Sequence, residues 1–156
     1  MRLTVVAVGR AKAGPARDLH EVYEARLSKR YFGQVSLIEV EERRNLAPAA
    51  LKAREAERLL AAVPTGGLIV ALDEAGRTMT SAAFAQWLAQ RREGGVQDLA
   101  FLIGGAEGLA KEIVQKADLV LSLGLMTWPH LLVRGLLMEQ LYRAQCIWSN
   151  HPYHRG

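Results

Sequence analysis

The stretch Leu119–Tyr142, LVLSLGLMTWPHLLVRGLLMEQLY, is the longest nearly uncharged run of the chain, and its pattern decides the architecture. No charged residue stands between Leu119 and Pro129, and the first after them is Arg134. Gly124, Thr127 and Pro129 divide the run, so no single helical piece is long enough to cross a bilayer. The pattern predicts a buried strand over Leu119–Leu123, a loop over Gly124–Pro129 and a long helix over Leu131–Trp148. Loops are normally polar, because backbone N–H and C=O groups away from water need partners. Leu125, Met126 and Trp128 make this loop oily. Its main chain is therefore expected to grip a flat, partly apolar ligand.

Upstream of this stretch, strands alternate with helices. Leu3–Val8 is a β-branched apolar run ended by Gly9, with Arg10 and Lys12 following at the strand's end. Gly14-Pro15 opens a helix over Ala16–Arg30, whose apolar side is Leu19, Val22, Tyr23 and Leu27. Arg26, Lys29 and Arg30 on its other side read first as a solvated face and second as an RNA-facing patch. A strand at Val35–Val40 and a mobile charged connection, Glu41–Asn45, lead to a helix from Pro48 to about Ala62. Gly67–Leu72 is a strand ending in Asp73, and Thr80 or Ser81 caps a helix over Ala82–Glu93. Leu99–Ile103 is a strand, Gly104–Gly108 a turn and Leu109–Ala117 a short helix. The strands are continuous apolar runs, not alternating ones. The expected fold is therefore α/β, a mainly parallel sheet with helices on both faces, with residues 1–156 as one domain.

Composition narrows the function classes. A chain of 156 residues with 50% hydrophobic and 23% charged content is an ordinary globular protein. A net charge of +4 and a pI near 9.5 permit a polyanionic partner without demanding one. The single cysteine, Cys146, excludes an internal disulfide and any cysteine-rich metal site. It reads as a small core or interface residue. The opening MRLTVVAVGR has too short an apolar run for a signal peptide, which predicts a cytoplasmic protein.

In an open parallel sheet, ligands bind beyond the carboxyl ends of the strands. Three strand ends therefore matter: Leu72-Asp73, Gly104-Gly105 and Gly124–Trp128. The Gly104 turn admits a ligand close to its backbone, although a plain strand-to-helix turn would look the same. There is no Gly-Lys-Ser/Thr, so the turn is not a P-loop. Its Gly-Gly-x-x-Gly spacing, with no acidic residue at the ribose-binding distance, argues against a nicotinamide cofactor. The tail Asn150–Arg155 packs His151, Tyr153, His154 and Arg155 beside an apolar helix that can hold it down. The lone Arg134 must be paired, exposed or reserved for an anion.

Five segments taken together resemble the RlmH family of SPOUT methyltransferases, which act on N3 of a pseudouridine in large-subunit ribosomal RNA. They are Val6-Ala7-Val8-Gly9, the run from Leu102 through Gly104-Gly105 and Glu107-Gly108 to Leu109, Met126-Thr127 with Pro129-His130, Leu141–Ala144, and His151–Arg155. The resemblance spans essentially the whole chain. Ala106, where a proline or serine is familiar, and Leu131-Leu132 depart from it. It implies a C-terminal trefoil knot, against the general rule on chain connections. It further implies a homodimer, S-adenosylmethionine as cofactor, and the ribosome with its 23S rRNA as partner. Its cofactor positions fall on Leu72, Gly104, Leu123, Gly124, Leu125, Met126, Thr127 and Trp128, at the three strand ends already singled out. On this reading His154 is the base or proton relay, Tyr153 stacks on or hydrogen-bonds the target, and Arg134 stabilises developing charge. His151, Arg155, Arg10 and Lys12 are expected to contact RNA, His130 is a structural hydrogen-bonder, and no metal is expected. The apolar residues of the last helix occupy more than one face, which predicts a subunit contact. Three rival readings stay open: a non-enzymatic RNA-binding or ribosome-associated domain, a tRNA methyltransferase of the same fold, and a nucleotide-dependent enzyme.

Overall fold

A computed structural model describes residues 1–155; Gly156, the end of the expected tail, lies outside the described residues. Its elements in chain order are β1 (Arg2–Val8), α1 (Pro15–Glu24), β2 (Val35–Val40), α2 (Pro48–Ala61) and β3 (Leu68–Thr78). They continue with α3 (Ser81–Glu93), β4 (Asp98–Ile103), α4 (Lys111–Lys116), β5 (Leu119–Ser122) and α5 (His130–Trp148). The strands form one sheet in the order β2-β1-β4-β3-β5, and every neighbouring pair is parallel. Two core layers explain why the strands read as unbroken apolar runs. Leu3, Val5, Ala7, Leu99, Phe101 and Ile103 face Phe84, Leu88, Leu137, Met138 and Leu141 from α3 and α5. Val6, Val8, Ala71, Ala100 and Leu102 face Ala56, Leu59 and Ile113 from α2 and α4. Thr80 caps α3, its hydroxyl accepting from Ala83 N. Among the described residues no helix is long and apolar enough to cross a membrane.

Three departures from the sequence expectation have a physical reason. α1 stops at Glu24 instead of reaching Arg30. Gln145 on α5, only 8% exposed, supplies the unwound chain with partners: its Nε2 donates to Arg26 O and its Oε1 accepts from Ser28 N, both at 2.9 Å. Leu27 still packs on the core. Replacing Gln145 by leucine leaves two main-chain groups unpaired. It is expected to lower stability by about 1–3 kcal/mol in urea titrations; an unchanged midpoint would show that water replaces the amide freely.

β3 does not end at Leu72. Leu72 and Arg77 both pair with Leu121, so Asp73–Gly76 leave the ladder as an excursion before the strand resumes. The charged connection after β2, expected to be mobile, is tied down. The Glu42 side chain is 2% exposed and pairs with both Arg44 and Arg58, which hold its carboxyl below the ordinary range.

Candidate methyl-donor cavity and C-terminal tail

The carboxyl ends of β3, β4 and β5 open onto a cavity of about 730 Å³. Leu72, Gly104, Leu123, Gly124, Met126, Thr127 and Trp128 line it, which is seven of the eight residues expected to hold a cofactor. Leu125, the eighth, does not; it is 92% exposed, and its neighbours Met126 and Trp128 are 75% and 42% exposed. The loop is shaped by its own polar groups. The Ser122 hydroxyl donates to Gly124 O at 2.8 Å and accepts from Gly124 N at 3.2 Å, while Gly124 takes φ 131°. Thr127 Oγ1 donates to Glu74 Oε2 at 2.9 Å, tying the loop to the β3 excursion. Across the cavity, the Gly104–Gly108 turn leaves no room for a side chain at Gly104. A Cβ on Gly104 would stand 2.7 Å from the Gly108 carbonyl carbon.

His130, at the first turn of α5, also lines the cavity. Burial and the nearby Arg134 push its imidazole pKa down. Arg134, left by the sequence as paired, exposed or reserved for an anion, is paired. It is 1% exposed and does not line the cavity. Its Nη1 donates to Glu39 Oε1 at 2.6 Å, and its Nη2 donates to Val8 O and Gly9 O at 2.7 Å each. Glu39 Oε1 accepts also from Ala11 N. The guanidinium therefore clamps the ends of β1 and β2 together. Arg10 and Lys12, just beyond the clamp, are exposed.

The tail turns back along α5. His151 N donates to Cys146 O at 2.9 Å. The Tyr153 hydroxyl donates to Glu139 Oε1 at 2.9 Å and stands 3.1 Å from the Tyr23 hydroxyl on α1. Arg143 pairs with Glu139 and lies over the Tyr153 ring, 4.8 Å from its centroid. Tyr142 meets the same ring edge-on at 4.8 Å. Burial and these bonds raise the Tyr153 phenol's pKa. Tyr153 is thus an anchor, with its hydroxyl already engaged. His154 beside it is half-buried, and among the described residues its Nδ1 has no partner. His151 and Arg155 are exposed. No tail residue lines the cavity. Glu139 lies nine residues beyond His130, which at the helical rise is about 13 Å along α5. Within one chain the cavity and the tail do not meet.

Over residues 1–154 the chain matches the family model described as "Predicted SPOUT methyltransferase". The chain belongs to the SPOUT methyltransferase family. A curated relative from Rhodospirillum centenum, ribosomal RNA large subunit methyltransferase H, is 55% identical over 156 residues, the whole of both chains. The protein of the same name from Paramagnetospirillum magneticum is 56% identical over 155 residues, 99% of each chain. The chain therefore groups with these RlmH relatives, as its motifs imply. A solved structure, a probable methylase family protein from Haemophilus influenzae, aligns at TM-score 0.52 and 14% identity, over 99% of this chain and 70% of its own, a likeness of fold.

Sequence reasoning missed the residues that anchor the tail of this SPOUT chain: Tyr23, Glu139 and Arg143. The signal was present. In a helix with almost no charge, Glu139 and Arg143 stand four residues apart on one face. It also missed Lys52, Glu74 and Glu107, which line the cavity from loops and helix α2. Among the described residues no group of three or more His, Cys, Asp or Glu side chains is placed to hold a metal ion.

A second buried imidazole, His20 on α1, is 4% exposed and stands 3.5 Å from Glu24. Burial lowers its pKa, as it does that of His130. Both favour the neutral form when folded, so the unfolded chain binds the extra protons. Their contribution to stability is complete above the ordinary imidazole value of 6.5 and is lost as pH falls below it. Each extra proton costs about 1.4 kcal/mol per pH unit within that window. Urea midpoints taken across it should fall with pH, and His20→Phe should flatten the fall. An equal slope in the variant would remove His20 from the account.

Proposed function

We propose that this SPOUT methyltransferase transfers the methyl group of S-adenosylmethionine to N3 of a pseudouridine in 23S ribosomal RNA, working as a homodimer in the cytoplasm. The observation that carries this reading is the convergence of Leu72, Gly104, Leu123, Gly124, Met126, Thr127 and Trp128 on one cavity. The cavity suits such a donor. Leu72, Ile103, Leu109 and Leu121 offer apolar surface to a flat ring, while Asp73, Glu74 and Glu107 suit its cationic part and Lys52 its carboxylate. When bound, the donor supplies a methyl group already activated by a positively charged sulfur.

The chain's own work is placement and proton removal. The two loops orient the donor, and orientation of this kind contributes several kcal/mol. His154, with an unpartnered nitrogen, takes the N3 proton of the uracil ring as the new N–C bond forms. Tyr153 holds His154 in place through Glu139 and Tyr23. Arg134 acts from a distance, fixing the strand ends from which Arg10 and Lys12 project to RNA phosphate, with Arg155 and His151 on the tail doing the same. Because cavity and tail stand apart in one chain, the complete site forms between two chains. Leu132 and Leu136 on α5 are only half-buried, and Leu125 and Met126 are exposed, which gives a second copy apolar surface to cover.

Two measurements test the reading. Ribosomes lacking the modification, given labelled donor and this protein, should incorporate label at one pseudouridine; label on another nucleotide or on transfer RNA would refute the substrate. A tail-less chain mixed with a full-length chain whose cavity turn is deformed by Gly104→Val, and which is shown still to fold, should regain transfer that neither has alone. No recovery in a mixture shown to exchange subunits would place each tail on its own chain's cavity.

A further inference from the structure

Glu55 stands on α2 three residues beyond Lys52, on the face that supports the Gly104–Gly108 turn. It is 9% exposed. A Cβ on Gly105 would be 3.2 Å from both of its carboxylate oxygens, so the carboxylate lies flat beneath a residue that lines the cavity. Among the described residues nothing hydrogen-bonds or pairs with it. Burial and the neighbouring Glu107 both push its pKa up, and only Lys52 opposes them. A carboxylate so little exposed, beside a second carboxylate and without an arginine, is costly to keep. Glu39 and Glu42, the other acidic groups held against the fold, each have an arginine.

The cavity above this carboxylate is acidic as well. Asp73, Glu74 and Glu107 line it against the single ammonium of Lys52. Asp73 accepts from Ala75 N and Glu74 from Thr127, so both are fixed in place. We propose that Glu55, seated under the Gly105 backbone, makes this cavity discriminate in favour of the cationic methyl donor and against its neutral demethylated product. The inference rests on the cavity being the methyl-donor site. The two ligands share their ring, their sugar and their amino-acid part. They differ by one methyl group and one positive charge on sulfur. Main-chain hydrogen bonds to the shared parts hold both alike, so a fixed negative field is what separates them. A carboxylate held against the fold with little of its surface open is screened less than one free in solvent. Loss of the sulfur's charge on transfer then loosens the product, which must leave before the next donor enters.

The test uses calorimetry near neutral pH on the full chain and on Glu55→Gln, with S-adenosylmethionine and S-adenosylhomocysteine titrated separately. Urea unfolding of the unliganded proteins runs alongside. Glu55→Gln is expected to weaken donor binding about tenfold and product binding by less than about twofold. The unliganded variant should be as stable as the parent or more so, because the repulsion between Glu55 and Glu107 has gone. Equal weakening of both ligands would make Glu55 a prop for the turn and overturn the proposal, as would no change in either. Should Glu55→Gln fail to fold, Glu107→Gln carries the same test at roughly threefold; there too, loss shared equally by both ligands overturns it. A parent protein that bound neither ligand would sink the cavity assignment itself, a result distinct from all of these.

Discussion

A chain ending at Asn150 should bind S-adenosylmethionine within about twofold of the intact protein and transfer no measurable methyl group, a fall of at least about 10³ in rate. Donor binding survives because the cavity's own lining holds the donor, and among the described residues a chain's tail touches none of that lining. Its contacts are with Cys146, Glu139, Tyr142, Arg143 and Tyr23, on the middle and later turns of α5 and on α1. Transfer is lost because the cut removes the proposed proton acceptor His154, its anchor Tyr153 and two of the proposed RNA contacts. Calorimetry checks the first half and labelled methyl incorporation into ribosomal RNA the second. Tyr153→Phe separates anchoring from acidity: it keeps the ring against Tyr142 and Arg143 but removes the hydroxyl from Glu139 and Tyr23. Transfer by the shortened chain at the intact rate would take the proton-acceptor role away from the tail altogether.

Arg134→Met should be the most destabilising single change, at about 3–5 kcal/mol, enough to leave a domain of this size barely folded. The arginine is 1% exposed and meets one carboxylate and two carbonyls. Methionine fills much of the space but leaves Glu39 uncompensated and the ends of β1 and β2 unclamped. Most of the cost is the stranded charge, so Arg134→Met with Glu39→Gln should be more stable than Arg134→Met alone. Urea titration of the four proteins in this cycle measures the coupling. A single-variant loss below about 1 kcal/mol would mean that water reaches the site and the clamp is weak.

The sheet was legible because a strand buried on both faces has a simple signature. Leu3–Val8 and Leu99–Ile103 are unbroken apolar runs, and glycines stop them at Gly9 and Gly104. The cavity was legible for a related reason. Ligands in parallel sheets gather at strand ends, and the Gly124–Pro129 loop is oily where a loop is normally polar. What stayed hidden depended on contacts between distant residues. Nothing local ends α1 at Glu24; Gln145, more than a hundred positions later, does so by offering its amide to Arg26 and Ser28. Nothing near Arg134 announces Glu39. The family motifs named the tail, but they carried no distance, so its separation from the cavity along α5 could be read only in three dimensions.

The strand order has a consequence for how the protein comes into being. β1 is made first, yet one of its two neighbours, β4, begins at Asp98. β3 lies between β4 and β5, both of which follow it in the chain. A growing chain on the ribosome can therefore pair only β1 with β2 until well past its midpoint, leaving the apolar edges of β1 and β3 open. Such distant pairing makes acquisition of structure slow and exposes sticky intermediates. Refolding from denaturant should accordingly lag behind that of helical chains of equal length, and its yield should drop as protein concentration rises.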